Sequence, residues 1–68
     1  MKTLHMRNLN TFDEIVYNIY DSYIEVIKNE TSVSKFQKTN KCNNQIIMDL
    51  INSGIKQGFI ISSLQVTN

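Results

Sequence analysis

One cysteine in 68 residues is the tightest constraint on this chain. A domain so short buries only about 60% of the surface its unfolded form exposes, and usually leans on a disulfide, a metal or a partner. Cys42 has no second cysteine to pair with. A structural zinc site takes about four Cys or His ligands, and this sequence offers Cys42 and His5. That leaves an efficient small core or association with another chain. A lone thiol also fits a reducing compartment, so a cytoplasmic location is expected. No run approaches the ~18–20 apolar residues of a membrane span. The opening MKTLHMRNLN has basic residues but no continuous apolar segment behind them, which does not read as a secretory signal.

Hydrophobic periodicity then divides the chain. Residues 1–10 show no period and read as an irregular arm ahead of a single small domain over 11–68. Residues 11–28 read as an amphipathic helix. TFDE fits a capping box, with Thr11 as N-cap and Glu14 at N3. Phe12, Ile15, Val16, Ile19, Tyr20, Tyr23 and Ile27 keep to three–four spacing, with Ile15, Ile19 and Tyr23 as anchors. Glu14, Asp21 and Glu25 then form an acidic stripe on the opposite face, edged by Tyr17. SVSKF suggests a short weak strand at about 32–38, after which Thr39 or Asn40 can cap the next element.

Residues 42–57 form a second amphipathic helix, with Ile47, Leu50, Ile51, Gly54 and Ile55 on one face. Gly54 lies inside that apolar stripe, where it lets a neighbouring backbone approach closely. Gly58 is placed to end the helix in a left-handed conformation. FIISSLQV reads as a strand over 59–66, bounded by the polar pair Thr67–Asn68. The expected fold class is therefore α+β, with two helices, a weak strand and a C-terminal strand. Two strands make a marginal sheet. A third would come from the N-terminal arm or from a second copy of the chain.

The candidates for chemistry are few. His5 sits in the irregular arm and Cys42 at a helix start, and a Cys–His nucleophile pair needs a third orienting group and a cleft. Gly54 and Gly58 lack any phosphate-loop context. An enzyme, a cofactor and a small-molecule substrate are not expected. Charge is more informative by segment. Residues 11–30 hold Asp13, Glu14, Asp21, Glu25 and Glu30 against Lys28, whereas residues 31–68 hold Lys35, Lys38, Lys41 and Lys56 against Asp49. The chain is thus electrically divided although its net charge is +1. Glu14, Tyr17, Asp21 and Glu25 make a candidate protein-binding face, because tyrosines beside carboxylates anchor interfaces at low entropy cost. SKFQKTNK, with Lys35, Phe36, Lys38 and Lys41, is the candidate nucleic-acid contact: lysines hold phosphate and an exposed ring stacks a base. It contains no Arg, the commonest specific reader of base edges.

A helix ending in glycine before an apolar strand occurs in winged-helix domains and in the N-terminal half of the eighth small-subunit ribosomal protein. FDEI, SKFQKTNK and GFI at Gly58–Ile60 are weakly similar to that ribosomal family, a resemblance that implies nucleic-acid binding through the basic segment. Residues 17–28 depart from it in being acidic, and the glycine-to-strand stretch is read as scaffold. Ten Ile, nine Asn and six Lys with no Ala or Pro match AT-rich coding, as in phages, plasmids and other mobile elements. The leading expectation is a small non-enzymatic interaction protein (regulator, inhibitor or adaptor) that binds another protein or itself. The alternative is a small nucleic-acid-binding protein, ribosomal-protein-like or winged-helix-like, using residues 35–41.

Overall fold

The computed structural model describes residues 1–66, so the polar pair Thr67–Asn68 lies outside it. Its first element is already a correction. Residues Lys2–Asn8 are not an irregular arm but strand β1. Leu4 and Met6 alternate there with Thr3, His5 and Arg7, the period-two pattern of a strand with one covered face. β1 pairs antiparallel with two neighbours at once and so has no open edge.

The helix expected over 11–28 is likewise absent. That segment forms a hairpin of β2 (Glu14–Ile19) and β3 (Tyr23–Lys28). Its apolar residues are Ile, Val, Tyr and Phe, stiff or bulky side chains that fit a pleated sheet better than a helical turn. They also fall on both parities, so helical and strand periods coexist, and cross-strand pairing decides between them. The apparent capping box is used differently. The Asp13 N–H donates to Thr11 Oγ1 at 3.3 Å, and Glu14 meets Arg7 rather than the Thr11 backbone. Of the expected anchors, Ile19 is 1% exposed and Ile15 packs against the core. Tyr23 has the opposite parity to the core residue Ile24, and so lies on the other face of the sheet.

The remaining elements are β4 (Thr31–Gln37), helix α1 (Asn43–Lys56) and β5 (Phe59–Val66). Among the described residues, the two-helix, two-strand fold class is thereby replaced by five antiparallel strands in one sheet, ordered β4-β3-β2-β1-β5, with one helix. The four-strand meander leaves β4 at one edge while β5 closes the other, so α1 must cross one face of the sheet between them. Cys42 occupies the N-cap without a side-chain capping bond, and neither Thr39 nor Asn40 takes that role. Gly58, at φ 93°, comes after the Gln57 C-cap as the left-handed residue. A Cβ on Gly54 would come within 2.6 Å of Met6 Cε, so a larger residue would require Met6 to move; it is this side chain, rather than the neighbouring backbone expected, that approaches the helix here.

The core lies between α1 and the sheet. Leu4, Met6, Ile19, Ile24 and Phe59 from the strands meet Ile46 and Ile47 from the helix. Among the described residues no layer covers the far face, whose rows are set by the register. One row runs Gln65, Thr3, Asn18, Glu25 and Lys35, and the next runs Ser63, His5, Val16 and Ile27. Register shifts break the regularity, leaving Val33 extra in β4 and Ser62 extra in β5.

Candidate functional site

The four residues expected to form an acidic face do not converge. Glu14 starts β2 and pairs with Arg7 at 2.9 Å. Glu25 lies on the uncovered face and accepts from Asn18 Nδ2 at 3.3 Å. Asp21 is exposed at the tip of the β2–β3 turn. Tyr17 sits opposite Leu4 under the helix side, where burial pushes its phenol above the usual range. A helix would have aligned these positions; the strand pleat distributes them over two faces and a turn.

The lysine segment is divided as well. Lys35 sits over the Tyr23 ring at 5.8 Å, and that ring stacks on Tyr20 with centroids 4.6 Å apart. Phe36 lies opposite Ile24 on the helix side and helps line a cavity of about 180 Å³ with Ile46 and Leu50. Lys38 donates to the Tyr20 carbonyl at 3.0 Å and to the Asn43 side chain. Lys41 pairs with Asp49 at 2.9 Å, which with Gln45 holds that carboxyl below the ordinary aspartate range. Two of the three lysines therefore tie the β4–α1 link in place. His5 lies in the sheet and Cys42 is exposed at the start of α1. Among the described residues no group of three or more His, Cys, Asp or Glu could hold a metal, and no helix is long and apolar enough to cross a membrane.

The most unusual local structure is the loop between β1 and β2, residues 9–13. It is organised by Asn8, a polar side chain only 6% exposed. Asn8 Oδ1 accepts from the N–H of Asn10 at 2.9 Å and of Thr11 at 3.1 Å. Its Nδ2 donates to the Gln57 carbonyl at 3.1 Å, fastening the loop to the end of α1. Its backbone receives the Phe12 N–H at 2.8 Å and donates to Asp13 O at 2.9 Å. The loop is clamped from the other side by Asn29, whose Nδ2 donates to Asp13 Oδ1 at 3.0 Å while its Oδ1 accepts the Glu14 N–H at 2.8 Å. Asn29 first and Thr11 second hold the Asp13 carboxyl below its ordinary range.

This frame presents apolar side chains to water. Phe12 is 78% exposed and Leu9 is exposed beside it. Phe12 also has φ 63°, a left-handed conformation that costs an L-residue roughly 1–2 kcal/mol. The adjoining β3–β4 turn holds Asn29 at φ 50° and Glu30 at φ 69°. The positive-φ non-glycine residues thus gather at one end of the sheet, beside Gly58. This end is hidden in the sequence, because Phe12 fits a helix face and RNLN fits a loose arm. One signal does point to it: in RNLNT, an Asn ahead of a polar run marks a side chain able to bond the backbone beyond it. No family model, no curated protein and no solved structure matches the chain.

Proposed function

We propose that this chain is a small non-enzymatic interaction protein that binds a partner protein through the 9–13 loop, with Phe12 as the anchor and Leu9 beside it. The observation that carries the reading is Phe12, almost fully exposed in a backbone conformation that disfavours it. Folding alone gives no reason to keep a bulky ring there, since glycine or asparagine would relieve the strain. Strained residues persist where the surroundings over-determine them, and they gather at binding sites. The Asn8 and Asn29 bonds supply that over-determination. They also fix the loop before binding, so that little ordering entropy is lost in the complex. Asp13 follows Phe12 in the loop, and Glu30 lies in the β3–β4 turn at the same end of the sheet. The complementary partner surface is an apolar pocket with a cationic rim, and rim charges of this kind act mainly on association rate.

Phe12→Gly tests the reading, because it separates binding from folding. The variant is expected to be about 1 kcal/mol more stable, through loss of left-handed strain. It is also expected to lose most affinity for the protein captured by the wild-type chain from its host. Undiminished capture by Phe12→Gly would refute the anchor. A second reading, contact with single-stranded nucleic acid, rests on the Tyr20–Tyr23 stack beneath Lys35. It requires that Lys35→Gln weaken oligonucleotide binding and reduce its salt dependence.

A further inference from the structure

The two edges of the sheet are built differently. Both carry an extra residue, Val33 in β4 and Ser62 in β5, but β4 also has Lys35 near its middle, a charge that discourages pairing with another strand. β5 reads FIISSLQV, eight residues without a charge or a proline. Its Ile61, Leu64 and Val66 pair with Met6, Leu4 and Lys2, so all three lie on the helix-covered side of the sheet, and all three are about half exposed or more. The helix extends the same surface. Ile46, Asp49 and Leu50 line the cavity on the β4 side. At ~100° per residue, Met48, Ile51 and Ile55 fall on the opposite flank, above β5. Met48 and Ile55 are exposed there. An open strand edge and an apolar strip therefore run side by side along one margin of the molecule.

We infer that this margin is a self-association surface, in which β5 pairs antiparallel with β5 of a second copy about a two-fold axis perpendicular to the sheet. The inference is independent of the loop reading and uses the opposite margin of the fold from β4. Three observations select a second copy as the occupant. An edge without charge meets itself without like-charge repulsion, which directly opposed side chains would otherwise impose. The two-fold keeps both helices on the same face of a continuous sheet, so the Met48–Ile55 flanks approach one another over the seam. Met48, Ile55, Ile61, Leu64 and Val66 are each about half exposed or more, a strip whose burial suits a contact at the lower end of specific interfaces, about 1,200 Å² in total.

Register is set by parity. A residue on the helix side must face another on the helix side. Centring the axis at Leu64 satisfies this over residues 63–65, with Leu64 opposite Leu64 of the second copy and Ser63 opposite Gln65; the regular ladder ends there, because the extra residue Ser62 would next face Val66. The bulge shortens that ladder, so the apolar strip supplies much of the contact. The dimer is accordingly weak, with a dissociation constant in the micromolar range.

Sedimentation equilibrium of the full chain, from low micromolar to several hundred micromolar, tests this. Wild type is expected to pass from monomer to dimer across the series. Leu64→Lys and Leu64→Glu, at a position half exposed in the monomer, are each expected to self-associate roughly tenfold or more weakly, since each removes buried apolar area and opposes like charges. An equimolar mixture of the two is expected to recover dimer, because Lys then faces Glu. Amide resonances of residues 63–66 should shift with wild-type concentration. A wild-type chain that stays monomeric throughout overturns the inference, whether or not either variant folds. So does a dimer that both variants leave unchanged.

Discussion

Asn8→Ala should be the most damaging substitution available at a polar position. The side chain is nearly buried and makes three bonds: two from the loop N–H groups of Asn10 and Thr11, and one to the Gln57 carbonyl. At a net contribution of about 1 kcal/mol each, their loss is worth about 3 kcal/mol. For a domain of this size the melting temperature should then fall by roughly 12–24 °C, at about 4–8 °C per kcal/mol. The assay is thermal and urea unfolding monitored by circular dichroism, at a concentration where association is absent. Asn8→Asp sharpens it. That variant keeps acceptors for Asn10 and Thr11 but turns the donor facing Gln57 O into a second acceptor. Its stability relative to wild type should therefore recover as pH falls and the new carboxyl is protonated. Asn10→Ala, which removes an exposed side chain and keeps the backbone bond, is the control. A melting temperature for Asn8→Ala within a few degrees of wild type would mean that the loop and the helix end are not coupled through this residue.

Two further outcomes concern the same end of the sheet. Glu30→Gly should stabilise the chain by about 0.5–1 kcal/mol in urea unfolding, because Glu30 occupies a left-handed turn position that glycine takes without steric cost; a loss of stability would refute the strain argument. Asp13→Asn should destabilise at neutral pH and lose its effect in acid. The folded carboxyl titrates below its ordinary value, so the stability it contributes is present above the ordinary aspartate pKa and disappears as pH falls through the depressed one. A wild-type-minus-variant difference that persists unchanged at pH 2 would contradict that assignment.

The two ends of the sequence are unequally legible. Residues 42–66 are the more legible: α1 and β5 fall where the spacing puts them and Gly58 ends the helix, although Ile55, expected on the apolar face, is exposed and Gly54 meets the Met6 side chain rather than a backbone. Residues 1–28 cannot be read in this way. In the hairpin, Ile15, Val16, Ile19, Tyr20, Tyr23 and Ile27 satisfy a helical spacing as well as a strand one, and TFDE imitates a cap. The tie is broken by β1, whose β5 partner is remote in sequence and whose own alternation spans only Leu4 and Met6. The site is obscured by the same ambiguity. Once residues 11–28 are taken as a helix, Phe12 becomes a core position and its exposure cannot be foreseen. The lysines are legible as charges, but not as the bonds Lys38 and Lys41 make, since those depend on where α1 begins.

The pairing of β1 with β5 has a consequence for how the chain reaches this state. Asn8 meets Phe59 and Lys2 meets Val66, whereas every other strand pair joins sequence neighbours through a short turn. The meander from β1 to β4 can assemble by local closure, but its central hydrophobic row is completed only by the longest loop closure in the chain, and closures of that length are the slow ones. Until it occurs, β1 has an unsatisfied edge and the Leu4–Met6 surface lacks Phe59. The rate of folding should therefore be governed by docking of α1 with β5 rather than by hairpin formation, and the partly folded meander is the species most exposed to aggregation.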